Sequence, residues 1–356
     1  MLPYILIFLL AILMLISNNK LFRVLLLGSM IFMCGFRDMI GGFDVYIYSE
    51  VYEVLKGDFL FTYKAFEKGF LVYYWILQKV SYSREFMLFA TTFVIFGGMA
   101  LILKKLSPIY SVSLFMFFSK FFMFTFTYIR QETAMLVVAT SLLFFLSNIR
   151  YKYIWGTILI LLAGTIHRSA LVFLVIPIIR DRKLSQIQYI FFSLILLVIV
   201  ASPLGNLLLS SIAESADNEK LNIYMEKENN FNFLYLIEGG TLLFLISNYR
   251  KHFQSSFDNF IINGTFAYTL ITLISITNAS LLRLTWYFYI FIILFIPTLI
   301  IKVPKIKNLA LIILISYFAL LFFRYILTYG PGEFYPYKSI FQDFNRNGRW
   351  EWMEYR

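Results

Sequence analysis

Charged and polar residues interrupt the apolar runs of this 356-residue chain at a few places: Arg37-Asp38, Arg130-Gln131-Glu132, His167-Arg168 and Arg283. A charge near hydrocarbon costs about 2.5–3.5 kcal/mol on insertion scales, so each is a functional candidate. Arginines converging from several helices would bind an anion. The guanidinium is a rigid fork of donors that keeps its charge, which suits phosphate or diphosphate. Arg37, Arg130, Arg168 and Arg283 form that expected set. His167 has the intrinsic pKa closest to neutrality. Plainer readings stand beside these. Arg37 or Arg283 alone could be an interfacial anchor snorkelling to head groups. Glu132 could serve only as an ion-pair partner for Arg130, and His167 as a satisfied polar group in a turn. Lys120, inside an aromatic run, most simply marks a misplaced span boundary. The sequence has no Asp-x-Asp, one cysteine (Cys34) and two histidines, so neither a metal site nor an intrachain disulfide is expected. It also lacks a phosphate-binding loop motif, which argues against nucleotide-driven chemistry. No cofactor is expected.

The elements that must position these residues are transmembrane helices. The chain is 60% apolar and 14% charged, against roughly 45–50% and 25% in soluble domains. A soluble fold cannot hide that much apolar surface. The 41 Phe and 25 Tyr suit a lipid face and an interfacial belt. Spans are expected near 2–17, 21–36, 86–103, 109–129, 132–148, 153–166, 169–179, 186–203, 233–248, 259–279, 284–301 and 308–328. The first reads as a retained span, not a signal peptide. The fold class is therefore an all-α polytopic integral membrane protein of about 12 helical passes, forming a single transmembrane domain over 1–356.

Every other loop is basic. Lys20/Arg23, Lys104/Lys105, Arg150/Lys152, Arg180/Arg182/Lys183, Arg250/Lys251 and Lys302/Lys305/Lys307 hold 14 of the 31 Lys and Arg but only two acids, Asp181 and Asp258. That leaves 17 basic and 18 acidic residues for the opposite side. The positive-inside rule then places the islands in the cytoplasm and both termini outside. The net charge of +11 is mostly this orientation signal; it implies no nucleic acid, although it favours anionic lipids. The segment between Arg150/Lys152 and Arg180–Lys183 is too short for two full spans, since fourteen helical residues reach only about 21 Å. A short helical hairpin with His167-Arg168 at its tip is expected. Three segments elaborate the outer face: 37–85, 204–232 and 329–356. The first should hold a surface helix with Asp44, Tyr48, Val51 and Leu55 on one face.

Residues Phe36-Arg37-Asp38-Met39-Ile40-Gly41-Gly42-Phe43-Asp44 open the first outer segment, and Phe66-Glu67-Lys68-Gly69-Phe70 follows within it. Next come Tyr128-Ile129-Arg130-Gln131, Ile166-His167-Arg168-Ser169, the late Arg283 and Tyr335-Pro336-Tyr337-Lys338-Ser339. In this order they resemble the EpsG-like, Wzy-type polysaccharide polymerases of bacterial O-antigen and exopolysaccharide synthesis. The resemblance implies a membrane glycosyltransferase architecture of the GT-C kind in the bacterial inner membrane, acting at the periplasmic face. It implies undecaprenyl-diphosphate-linked oligosaccharides as substrates: the growing glycan leaves its lipid diphosphate and joins a sugar hydroxyl of the next unit. A chain-length regulator protein is an implied partner. Catalytic roles would fall to His167, Glu67 and Asp44, diphosphate binding to Arg37, Arg130, Arg168 and Arg283, and substrate contacts to Gln131, Tyr48 and Tyr128. His167 is favoured as general base. A flippase for the same lipid would also want arginines in a cavity, but should show internal repeats, and none is visible. A related glycan ligase shares the expected features.

Overall fold

The computed structural model describes residues 1–202, 231–328 and 334–342. The expected segments 204–232 and 329–356 therefore lie largely outside the described residues. Every described regular element is helical; Arg37 and Ser339 form an isolated antiparallel β-bridge. Two compact units share the chain: Met1–Leu171 with Pro304–Arg356, and Val172–Val303.

The first unit contains α1 (Leu2–Ser17), α2 (Lys20–Gly35), α3 (Phe43–Leu55), α4 (Lys68–Leu77), α5 (Arg84–Leu106), α6 (Tyr110–Phe121), α7 (Ile129–Phe145) and α8 (Lys152–Ile166). After the second unit it closes with the long C-terminal helix Lys307–Thr328. Asn19 caps α2 by accepting from the Leu21 amide at 2.9 Å, and Ser83 caps α5. In α5, Glu85 in the first turn and Lys104 and Lys105 in the last oppose the helix dipole favourably. An aromatic core joins α1, α6 and the C-terminal helix: Phe322 lies 5.0 Å from Phe8 and 5.4 Å from Phe118 between ring centroids.

The second unit holds α9 (Val175–Ile179), α10 (Gln186–Ala201), α11 (Phe233–Tyr249), α12 (Ser256–Ile274) and α13 (Leu282–Lys302). The C-terminal helix of the first unit is thus α14. Close packing of α12 and α13 turns on Gly264, where a Cβ would stand 2.2 Å from the Phe291 ring. Small residues at such contacts let helices approach where lipid supplies no hydrophobic drive.

Each of the twelve expected spans contains helix. Among the described residues three helices are long and apolar enough to cross a membrane: Arg84–Leu106, Ala279–Lys302 and Pro304–Thr328. Shorter apolar helices, such as Leu2–Ser17 and Lys152–Ile166, accompany them. The span expected at 109–129 is corrected: α6 stops at Phe121, a 3-10 turn occupies Phe124–Phe126, and helix resumes at Ile129. Irregular backbone at that depth needs internal partners. Here the Phe126 carbonyl accepts from Arg37 Nη2 at 3.1 Å and Thr125 Oγ1 bonds back to the Phe121 carbonyl at 3.0 Å. Lys120 falls in the last turn of α6, its Nζ 5.8 Å from the centre of the Phe124 ring.

The helix expected after Asp44 is α3, with Tyr48, Val51 and Leu55 buried on one face. Its companion α4 was not foreseen.

Candidate functional site

Glu67 sits at the N-cap of α4. Its helix runs against α8 because Gly69 has no side chain; a Cβ there would lie 2.2 Å from Thr165 Oγ1 and 2.7 Å from the Thr165 carbonyl carbon. That approach carries Glu67 to the end of α8, where His167 caps the helix in extended backbone. Glu67 Oε1 accepts from the Arg168 amide at 3.0 Å and lies 3.4 Å from His167 Nδ1. Glu67 Oε2 accepts from Arg130 Nη1 at 2.8 Å. Arg130 occupies the first turn of α7, donates also to the Ala65 carbonyl, and holds its guanidinium 4.9 Å from the centre of the Phe66 ring. Residues 65–67, 130 and 167–168 thus meet in one cluster of the first unit.

Burial would push the Glu67 carboxyl up. The hydrogen bond with His167, the Arg130 charge and the Arg168 amide outweigh burial and hold it at about 2. An ionised carboxylate only accepts, so His167 Nδ1 must carry the hydrogen it shares with Glu67. The neutral ring then has its basic lone pair on Nε2. A carboxylate that fixes a histidine tautomer in this way is the orienting member of a base pair, and at about 2 Glu67 is itself a poor proton acceptor at neutral pH. The two Nη1 bonds of Arg130 use two of its five N–H donors.

The other expected residues are placed as follows. The Tyr48 hydroxyl lies within hydrogen-bond reach of Arg130; burial pushes it well above its ordinary value, and Asp44 and Glu67 add to that. Asp44 is half-buried in the first turn of α3. Tyr128 is half-buried just before α7, with its ring 5.9 Å from Phe124, and Gln131 is buried in the first turn. Arg168 is exposed beside His167. Arg283 is exposed in the first turn of α13, in the second unit.

Arg37 has a different setting. It is 1% exposed and donates to the carbonyls of Cys34 and Phe126, with its guanidinium 5.2 Å from the Phe126 ring centre. Around it the loop after α2 is laced to residues 338–340. The Asp38 amide donates to the Lys338 carbonyl and the Ile340 amide to the Phe36 carbonyl, each at 3.0 Å. Gly41, at φ 125°, fits where a Cβ would lie 2.2 Å from the Phe126 carbonyl oxygen. Two motifs more than 280 residues apart in the chain therefore meet at one seam.

Glu132 corrects a second expectation, since it is not the partner of Arg130. Residues two apart on a helix point to different faces. Glu132 is 1% exposed and its Oε2 accepts from Thr125 Oγ1 at 2.5 Å. The carboxylate that pairs with Arg130 comes instead from 63 residues upstream. Sequence signals for α4 did exist: Phe70, Leu71 and Tyr74 share its buried face.

Among the described residues no three His, Cys, Asp or Glu side chains gather as metal ligands would. No curated protein and no solved structure matches the chain. The EpsG family does, over residues 20–339. That match spans the loop after α2, the Glu67–Arg130–His167 cluster, Arg283 and the chain as far as Ser339, and the chain belongs to the EpsG family.

Proposed function

We propose that this membrane protein is a polysaccharide polymerase that joins oligosaccharide repeat units carried on undecaprenyl diphosphate, working at the periplasmic face of the bacterial inner membrane without a metal ion. The family supports a glycosyltransferase-like polymerase in general. The cluster of Glu67, Arg130 and His167 carries the finer reading, because it pairs an oriented imidazole with a guanidinium that has donors left over.

In this reading an acceptor sugar hydroxyl attacks the anomeric carbon of the growing glycan. The new glycosidic C–O bond forms, the bond from that carbon to the lipid diphosphate breaks, and the hydroxyl proton passes to His167 Nε2. The departing diphosphate needs charge stabilisation more than a proton, and Arg130 supplies it with Arg168 beside it. Glu67 fixes the His167 tautomer and the direction of Arg130, while Tyr48, Asp44, Tyr128 and Gln131 hold sugar hydroxyls or the arginine. Arg37, buried and bonded to carbonyls, positions the first outer loop against the tail. The alternating basic islands support an outer position for the cluster.

The test is chain elongation in vitro by purified variants with donor binding measured in parallel. His167→Ala should lower transfer by about 100-fold or more and still bind the lipid diphosphate, while Glu67→Gln should keep measurable turnover. Normal elongation by His167→Ala with a dead Glu67→Gln would reverse the two roles. Transbilayer movement of the lipid by the wild type, with no elongation, would make it a flippase.

A further inference from the structure

A cleft of about 420 Å³ lies within the second unit, between the loop that leads into α10 and the loop that leads into α12. Its size falls in the range of small-ligand sites, roughly 300–1,000 Å³. Lys183, Ser185, Lys251 and Gln254 line it and are exposed; Arg250 and Asn259 form its deeper wall. Arg250 is held by neutral groups. Its Nε donates to the Leu184 carbonyl at 3.2 Å, Nη2 to Asn259 Oδ1 at 2.6 Å, and Nη1 to the Phe253 carbonyl. Those bonds fix the guanidinium without cancelling its charge.

The nearby acids are engaged elsewhere. Asp181 pairs with Arg180 at 2.8 Å, and Asp258 pairs with Lys302 at 2.9 Å while closing the capping box of α12. The cleft thus presents the charges of Lys183, Arg250 and Lys251 with no carboxylate of the described residues paired to them. One further feature identifies what such a cleft would meet. Ile187, Phe191, Leu194 and Val198 are all more than half exposed, and their spacing puts them on one face of α10. This stripe begins two residues beyond Ser185. A head group in the cleft would have its acyl chains laid along it.

We infer that this cleft is a binding site for a phosphate-type anion, supplied by the head group of an anionic phospholipid. Neither the family nor the polymerase reading assigns it, and it involves none of the residues given roles in that reaction. By the basic-island rule it lies on the cytoplasmic side, where anionic lipid concentrates.

Binding of phosphatidylglycerol to the purified full-length protein, with phosphatidylcholine as the neutral control and inorganic phosphate as competitor, tests the inference. Lys183 and Lys251 are exposed, so Lys183→Ser with Lys251→Ser should fold. The pair should weaken phosphatidylglycerol binding by roughly 10- to 30-fold, at about one kcal/mol per basic residue near anionic lipid. Removing a different basic island, Lys305→Ser with Lys307→Ser, should leave it within about twofold. Equal binding of the two lipids by the wild type, or equal phosphatidylglycerol binding by the wild type and the Lys183/Lys251 variant, overturns the site. If millimolar inorganic phosphate binds with the same lysine dependence and displaces the lipid fully, the anion site stands but the assignment to a lipid is overturned.

Discussion

Arg37 and Arg130 look alike in the sequence: each follows an aromatic-rich apolar run and has an acid within two residues. The first unit treats them in opposite ways. Arg37 is almost wholly buried and its hydrogen bonds end on backbone carbonyls. Arg130 is half-buried, lies against an aromatic ring, and pairs with a carboxylate that also touches a histidine. A guanidinium held by carbonyls, one of them Phe126 in a broken helix, stabilises the break. One held by a charged, proton-linked partner beside exposed Arg168 is placed to meet a ligand. In the proposed function the kind of acceptor separates scaffold from chemistry, and residue type does not.

The largest expected effect would break that comparison at the Arg130 end. Arg130→Lys keeps the charge but loses the fork that reaches Glu67 and the Ala65 carbonyl together. Elongation should fall about 100-fold, the scale of one lost transition-state donor, while the thermal midpoint of the purified protein moves little. Full-length glycan ladders at normal protein level from this variant would remove Arg130 from the reaction.

A smaller loss of a different kind belongs to Arg37. An ammonium cannot reach the Cys34 and Phe126 carbonyls at once, and an unmet buried carbonyl costs about 1–3 kcal/mol. Arg37→Lys should therefore lower the melting temperature by several degrees, while the fraction that remains folded elongates at close to the wild-type rate. If the variant instead melts like the wild type and fails to elongate, Arg37 belongs with the anion-binding arginines, as its sequence position first suggested.

Much of the helical scaffold was legible because hydrophobic length and basic islands are local signals. Each expected span holds helix, and the short helix before His167 ends at Ile166, inside the polar run Gly164-Thr165-Ile166-His167. The break at 122–128 was not legible: Phe124-Thr125-Phe126 is as apolar as the helix before it, and what ends α6 is a set of long-range bonds, including one from Arg37. The residues that gather around Glu67 were legible one by one, since polar groups in apolar surroundings stand out. Their pairing was not. The Glu67–Arg130 and Glu67–His167 contacts span 63 and 100 residues, and they depend on Gly69 letting α4 close on α8. Glu132 shows the opposite error, in which nearness in sequence suggested a partner that helix geometry directs elsewhere.

The smallest effect sharpens the same contrast through pH. The Glu67 carboxyl is held at about 2 against an ordinary 4.5. A carboxylate depressed in the folded state contributes its full stability above its unfolded pKa and loses it as pH falls through the folded one. The clamp on Arg130 and His167 should therefore be intact above about pH 5 and fade from there toward pH 2. Thermal midpoints of the wild type and Glu67→Gln should differ by a constant amount above pH 5, and the gap should narrow on acidification. The gap between the wild type and Arg37→Lys should stay level over that window, because carbonyl acceptors do not titrate. A Glu67→Gln gap that persists unchanged to pH 3 would mean that Glu67 acts there by packing, and the carboxylate would then not be what orients His167.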